Sequence, residues 1–133
     1  MGILKNLRAA TKGLLYSSES DVPLKPFLWP QADVGATLDT TALLAYLEQD
    51  PRTVVEEVET VAFFEPMTTL DKWAIEEDKA VVARFIALVE TLTHQLINTR
   101  TFRIGEGPEF EVYVIGRTPD GDWSGVMTRL TET

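Results

Sequence analysis

No cysteine occurs in the 133 residues. Disulfides, cysteine nucleophiles and thiolate zinc sites are excluded together. One histidine, His94, is present, which removes any multi-histidine metal centre. No apolar run approaches the ~20 residues of a membrane-spanning helix. The first eight residues, Met-Gly-Ile-Leu-Lys-Asn-Leu-Arg, lack the apolar core of a secretory leader, so a cytoplasmic protein is expected. Bases are scarce as well: 12 Lys and Arg stand against 21 Asp and Glu, a net charge of -9. Proteins that bind nucleic acid directly neutralise phosphates with Lys and Arg, so this balance argues against that class.

What is present is ordinary globular material, 44% hydrophobic and 25% charged. The length predicts a single domain over 1–133. The acids are unevenly spread. Residues 48–78 hold ten of them against Arg52 and Lys72, a local charge of -8. Such a run serves solubility or steers a basic partner, and composition leaves both open.

Apolar spacing predicts an amphipathic helix over 3–16, through Ile3, Leu4, Leu7, Ala10, Leu14 and Leu15. A polar loop follows at 17–22. Pro23, Pro26 and Pro30 exclude a helix there, and Phe27-Leu28-Trp29 reads as an edge strand. A second helix is expected over 37–49, capped by Asp39 or Thr40. β-branched residues at 53–61 favour a strand. Phe63, Phe64, Pro66 and Met67 read as a packed connection, and Thr68 to Asp71 as a capping box with a short turn through Trp73. The strongest helix is 76–97, with Val81, Val82, Phe85, Leu88, Val89, Leu92 and Leu96 on its apolar face. Three strands follow, at 101–104, 109–117 and 123–130, the last two joined by the turn Thr118-Pro119-Asp120-Gly121. The middle strand is apolar on both faces, hence central. Helices must then cover both faces of the sheet. The expected class is α+β, a three-layer α/β/α sandwich with a mostly antiparallel sheet.

Catalytic patterns fail on inspection. His94 has no Gly-x-Ser-x-Gly elbow to serve. Gly105-Glu106-Gly107-Pro108 lacks the third glycine of a dinucleotide loop and precedes a strand, so it reads as a turn. Asp120-Gly121-Asp122 lacks the acidic twelfth position of a calcium loop. Glu106, Glu109 and Glu111 have no second carboxylate cluster to work with and read as solvated acids. No enzyme and no cofactor is expected. The features left over are the polar loop around Glu19, Trp73 in an acidic stretch, and a chain that ends soon after its last strand.

Those places carry a family resemblance. Gly13-Leu14-Leu15-Tyr16-Ser17-Ser18-Glu19-Ser20-Asp21 with Pro23, then Phe27-Leu28-Trp29, Asp71-Lys72-Trp73, Ala80 to Phe85, and Val112 to Gly121 continuing through Gly125 to Glu132-Thr133 resemble the bacterial nuclease A inhibitor family. The resemblance covers about residues 10–29 and 61–133 and is loosest over 30–60. It implies a PR-1-like α/β/α sandwich, in keeping with the element order. It also implies a monomeric inhibitor that plugs the cleft of a sugar-non-specific DNA/RNA endonuclease. Carried over motif by motif, Glu19 and Trp73 would touch the nuclease, and Thr133, with Glu132 beside it, would reach the nuclease's catalytic Mg²⁺. Two other classes stay in play: an acidic adaptor of the same fold with a different basic partner, and a small-molecule-binding module, which needs a large apolar pocket.

Overall fold

In the computed structural model, which describes residues 2–132, the chain builds one five-stranded antiparallel sheet, a two-stranded hairpin and five helices among those residues. In order these are α1 (Ile3–Thr11), β1 (Leu15–Ser17), β2 (Asp21–Pro23), β3 (Lys25–Trp29), α2 (Gln31–Val34), α3 (Thr40–Tyr46), β4 (Val55–Val58), α4 (Thr60–Thr68), α5 (Glu76–His94), β5 (Ile97–Ile104), β6 (Glu109–Arg117) and β7 (Trp123–Thr131). The large sheet runs β3-β7-β6-β5-β4. The doubly apolar β6 is therefore its central strand, as its residues predict. Phe110, Val112 and Val114 enter one core with Leu7, Phe64, Phe85, Leu88 and Leu92 from α1, α4 and α5. Tyr113 and Ile115 enter the other with Leu43 and Leu44 from α3. Helices thus cover both faces of the sheet.

Several elements depart from the expectation. The first helix ends at Thr11, not residue 16. Gly13 takes φ +76°, a left-handed conformation that stops a helix. Leu14 and Tyr16 then turn inward while Leu15 stays exposed, which is the period of a strand. The polar loop at 17–22 is the tip and second strand of a hairpin, with Tyr16 opposite Val22. The predicted connection at 63–67 is helical, with Pro66 inside α4. Proline removes a backbone donor there. The helix survives because Phe63 and Phe64 are buried and the Thr60 hydroxyl meets that of Thr101 at 2.8 Å, so packing overrides propensity. No capping box forms at Thr68; that threonine ends α4. The long helix stops at His94, three residues early, and β5 begins sooner, at Ile97, with an irregular register between Ile97 and Arg100.

Other expectations hold. Asp39 caps α3 by accepting the Ala42 N–H at 2.8 Å. The turn after β6 closes through Gly121 N–H to the Thr118 carbonyl, and Gly121 has φ +91°. Close strand approach makes Gly125 obligatory: a Cβ there would lie 1.7 Å from the Val114 carbonyl oxygen.

Candidate functional site

The β1–β2 hairpin and the end of β7 form one structure. Strand β3 pairs with β7 only over residues 123–127. Beyond Met127 the hairpin takes over that flank. The Thr128 hydroxyl donates to the Pro23 carbonyl at 3.1 Å. At Thr131 the backbone N–H donates to Ser18 Oγ at 3.2 Å and the carbonyl accepts the Glu19 N–H at 3.3 Å. The Ser20 and Thr131 hydroxyls share a hydrogen bond at 3.2 Å. Within the tip, the Ser18 N–H reaches the Ser20 carbonyl and Ser17 Oγ meets the Asp21 carboxylate at 2.7 Å.

Glu19 therefore lies exposed at the hairpin tip, directly beside the chain's last described residues. Glu132 is on the neighbouring segment. Its N–H donates to the Pro108 carbonyl at 2.6 Å, and its carboxylate pairs with Arg103 at 3.4 Å while remaining more than half exposed. Arg103 itself stacks over the Phe110 ring, 4.1 Å from its centroid, and pairs also with Glu56 at 3.7 Å. Glu19 and Glu132 line one open groove of about 460 Å³ with Tyr16, Ser17, Ser18, Pro66, Leu130 and Thr131. Burial, and then the negative charge of Glu132, push the Tyr16 phenol above its ordinary pKa. Its O–H is donated to the Phe63 carbonyl, which ties the hairpin to α4. Thr133 lies outside the described residues.

Trp73 is placed separately, on the loop between α4 and α5, and is 78% exposed. The loop is shaped by carboxylates. Asp71 accepts the Trp73 N–H at 2.8 Å, and Asp78, in the first turn of α5, accepts the Ile75 N–H at 3.1 Å. Lys72 stands over the indole, 5.1 Å from its centroid. Leu70 and Ile75 on the same loop are exposed too. The structure thus brings Glu19 and Glu132 into one groove, whereas Trp73 is not among that groove's lining residues.

The acidic run 48–78 is not a bare charged face. Asp50 pairs with Arg52, Glu56 with Arg103, Glu57 with Arg100 and Glu76 with Lys79, and Asp71 and Asp78 bind backbone N–H groups. Six of its ten acids are thus engaged locally. The Glu57–Arg100 pair is bidentate, at 2.7 and 3.1 Å, and holds the Glu57 carboxyl below its usual range. Asp122 turns out to be structural, accepting the Gln31 N–H at 2.9 Å and so holding α2. Glu111 pairs with Arg129 at 3.3 Å. His94 is exposed at the end of α5. Among the described residues no three His, Cys, Asp or Glu side chains are placed to hold a metal. No described helix is long and apolar enough to cross a membrane. An open groove of about 610 Å³ beside β4 mixes Glu57, Glu59, Thr60, Thr93, Thr99 and Arg100 with Val58 and Val61. That is not the apolar pocket a small-molecule module needs.

The family model described as NuiA, nuclease A inhibitor-like protein, matches residues 1–133. It takes in the 30–60 segment, where the motif resemblance is loosest. No curated protein matches the chain.

Proposed function

The chain belongs to the nuclease A inhibitor-like family, and on that premise we propose that it is a non-enzymatic protein inhibitor of a Mg²⁺-dependent, sugar-non-specific nuclease. The observation that carries the reading is the pairing of Glu19 and Glu132 in one exposed groove at the end of β7, the region where the family's inhibitory motifs fall. A nuclease cleft presents a divalent cation and basic side chains for phosphate. A rigid tip bearing carboxylates imitates the charge of the substrate and offers no scissile bond. The Mg²⁺ belongs to the nuclease; hard oxygen donors suit it. In this reading Glu19 enters the cleft, Thr133 supplies oxygens toward the metal, Glu132 flanks it, and Trp73 is an apolar anchor outside the groove. The reading extends to a monomer acting in the bacterial cytoplasm, and to a single PR-1-like domain whose three-layer α/β/α arrangement a superposition on PR-1-like structures tests.

The direct experiment titrates the protein into a sugar-non-specific nuclease from the same bacterium and follows plasmid degradation. Suppression that saturates near one inhibitor per nuclease is the expected result. An unaffected nuclease refutes the proposal, and capture of a different basic protein would then favour the adaptor reading.

A further inference from the structure

Resting on that functional reading, we propose that Thr131 is a positioning residue. With Ser18 and Ser20 it locks the hairpin tip to the end of β7, so that Glu19 and Glu132 reach the nuclease as one preformed surface. The hydrogen-bond pattern requires a specific arrangement here. Thr131 faces Glu109 of β6 across the ladder. In an antiparallel pair, opposed residues alternate between exchanging backbone bonds and turning those groups outward. Thr131 turns its N–H and carbonyl outward, to Ser18 and Glu19, and the next N–H, that of Glu132, turns inward to Pro108. Its hydroxyl adds the contact with Ser20.

Two segments more than 110 residues apart in sequence are thereby joined through the side chain, the N–H and the carbonyl of one residue. The joint lies where β3 no longer covers β7. Tyr16 and Pro23 anchor the base of the hairpin to α4 and β7; without the Thr131 joint the three-residue tip of Ser18, Glu19 and Ser20 would extend beyond those anchors on short strands, which are marginal in water by themselves. On the other side Arg103, stacked on Phe110, holds the Glu132 carboxylate. The two fastenings fix the two acids of the groove independently. Ordering a loop before binding removes a cost otherwise met in the complex, and its loss shows mainly in dissociation.

The test compares the parent chain with a Ser18→Ala/Thr131→Val double variant. Thr131→Val keeps the side-chain size, Ser18→Ala removes only the hydroxyl oxygen, and neither alters the net charge. Amide exchange should show lost protection at the Glu19 N–H, with the melting temperature unchanged. Binding kinetics with the nuclease should show dissociation faster by about tenfold, and association within about twofold because the charge is the same. Thr131→Ser restores the hydroxyl and should restore slow dissociation when Ser18 is kept. A parent that inhibits alongside a double variant that dissociates equally slowly overturns the positioning role and leaves the inhibitor reading standing. A parent that inhibits nothing overturns the inhibitor reading and this role with it.

Discussion

Replacing Trp73 by alanine separates packing from recognition, because the indole is 78% exposed and lies outside both hydrophobic cores. A tryptophan side chain offers at most ~250 Å² for burial. Only about a fifth of that is covered in the free protein, which at ~25 cal/mol per Å² stabilises the fold by at most about 1.3 kcal/mol. The Lys72 contact, fully in solvent, adds no more than ~0.5–1 kcal/mol. The loop does not depend on the indole for its shape, because Asp71 and Asp78 hold it through backbone N–H groups. The expected stability loss is therefore about 2 kcal/mol or less, below the ~3–5 kcal/mol of a truncated core aromatic. If a nuclease surface covers the remaining ring, the same coefficient gives a ceiling of about 5 kcal/mol, of which interface tryptophans commonly retain ~2–4 kcal/mol. Calorimetric melting and titration binding, run on the same preparation, read the two quantities. A variant that binds as tightly as the parent removes Trp73 from the interface. One that melts as a core mutant refutes the burial argument itself.

Glu19→Gln should leave melting unchanged, since the side chain is exposed at the hairpin tip, and should weaken inhibition by about 2 kcal/mol or more if the carboxylate meets a desolvated positive site; early melting with normal inhibition would reverse the assignment. Deleting Thr133, or appending a few glycines after it, should weaken inhibition in an activity titration without altering the melting curve, and undiminished inhibition by the extended chain would show that the residue does not enter the metal site. The Tyr113 phenol, buried and beside Glu111, is pushed up to about 12. The folded protein thus holds this proton more tightly than the unfolded chain, and the stabilisation is complete below pH ~10 and falls by about 1.4 kcal/mol per pH unit between pH ~10 and ~12. In urea unfolding the parent should lose stability relative to Tyr113→Phe across that window, and an equal slope in both would show that Tyr113 is not the group responsible.

What could be read in the sequence was local. The alternation of β6, the turn at Gly121, the Asp39 cap and the Phe85, Leu88 and Leu92 stripe of α5 each depend on neighbours a few residues away, and each is found where the pattern puts it, whereas Val81, expected on the same stripe, is exposed and Leu96 lies beyond the helix end. The misreadings are non-local. Pro66 argues against a helix on its own, and only the burial of Phe63 and Phe64 against the sheet and α5 makes α4 worthwhile. Nothing local marks Gly125 as obligatory, because the Val114 carbonyl oxygen that stands where its Cβ would be belongs to the neighbouring strand. The acidic run 48–78 suggests one charged face, yet Arg100 and Arg103 of β5, which pair with its Glu57 and Glu56, come more than twenty residues after it ends. The candidate site divides the same way. Glu19 and Trp73 are visible as residue types in polar surroundings. The meeting of Glu19 with Glu132 is not, because it depends on β3 ending its pairing at Met127 and leaving the β7 flank to the hairpin. Trp73 illustrates the limit most plainly. Its place in a short turn just before the long helix is compatible with packing or with exposure, and α5 begins only at Glu76. Only Ala74 and Ile75 separate it from that helix, Asp71 and Asp78 brace the backbone on either side of it, and the indole is left on the surface as the largest exposed apolar group of its loop.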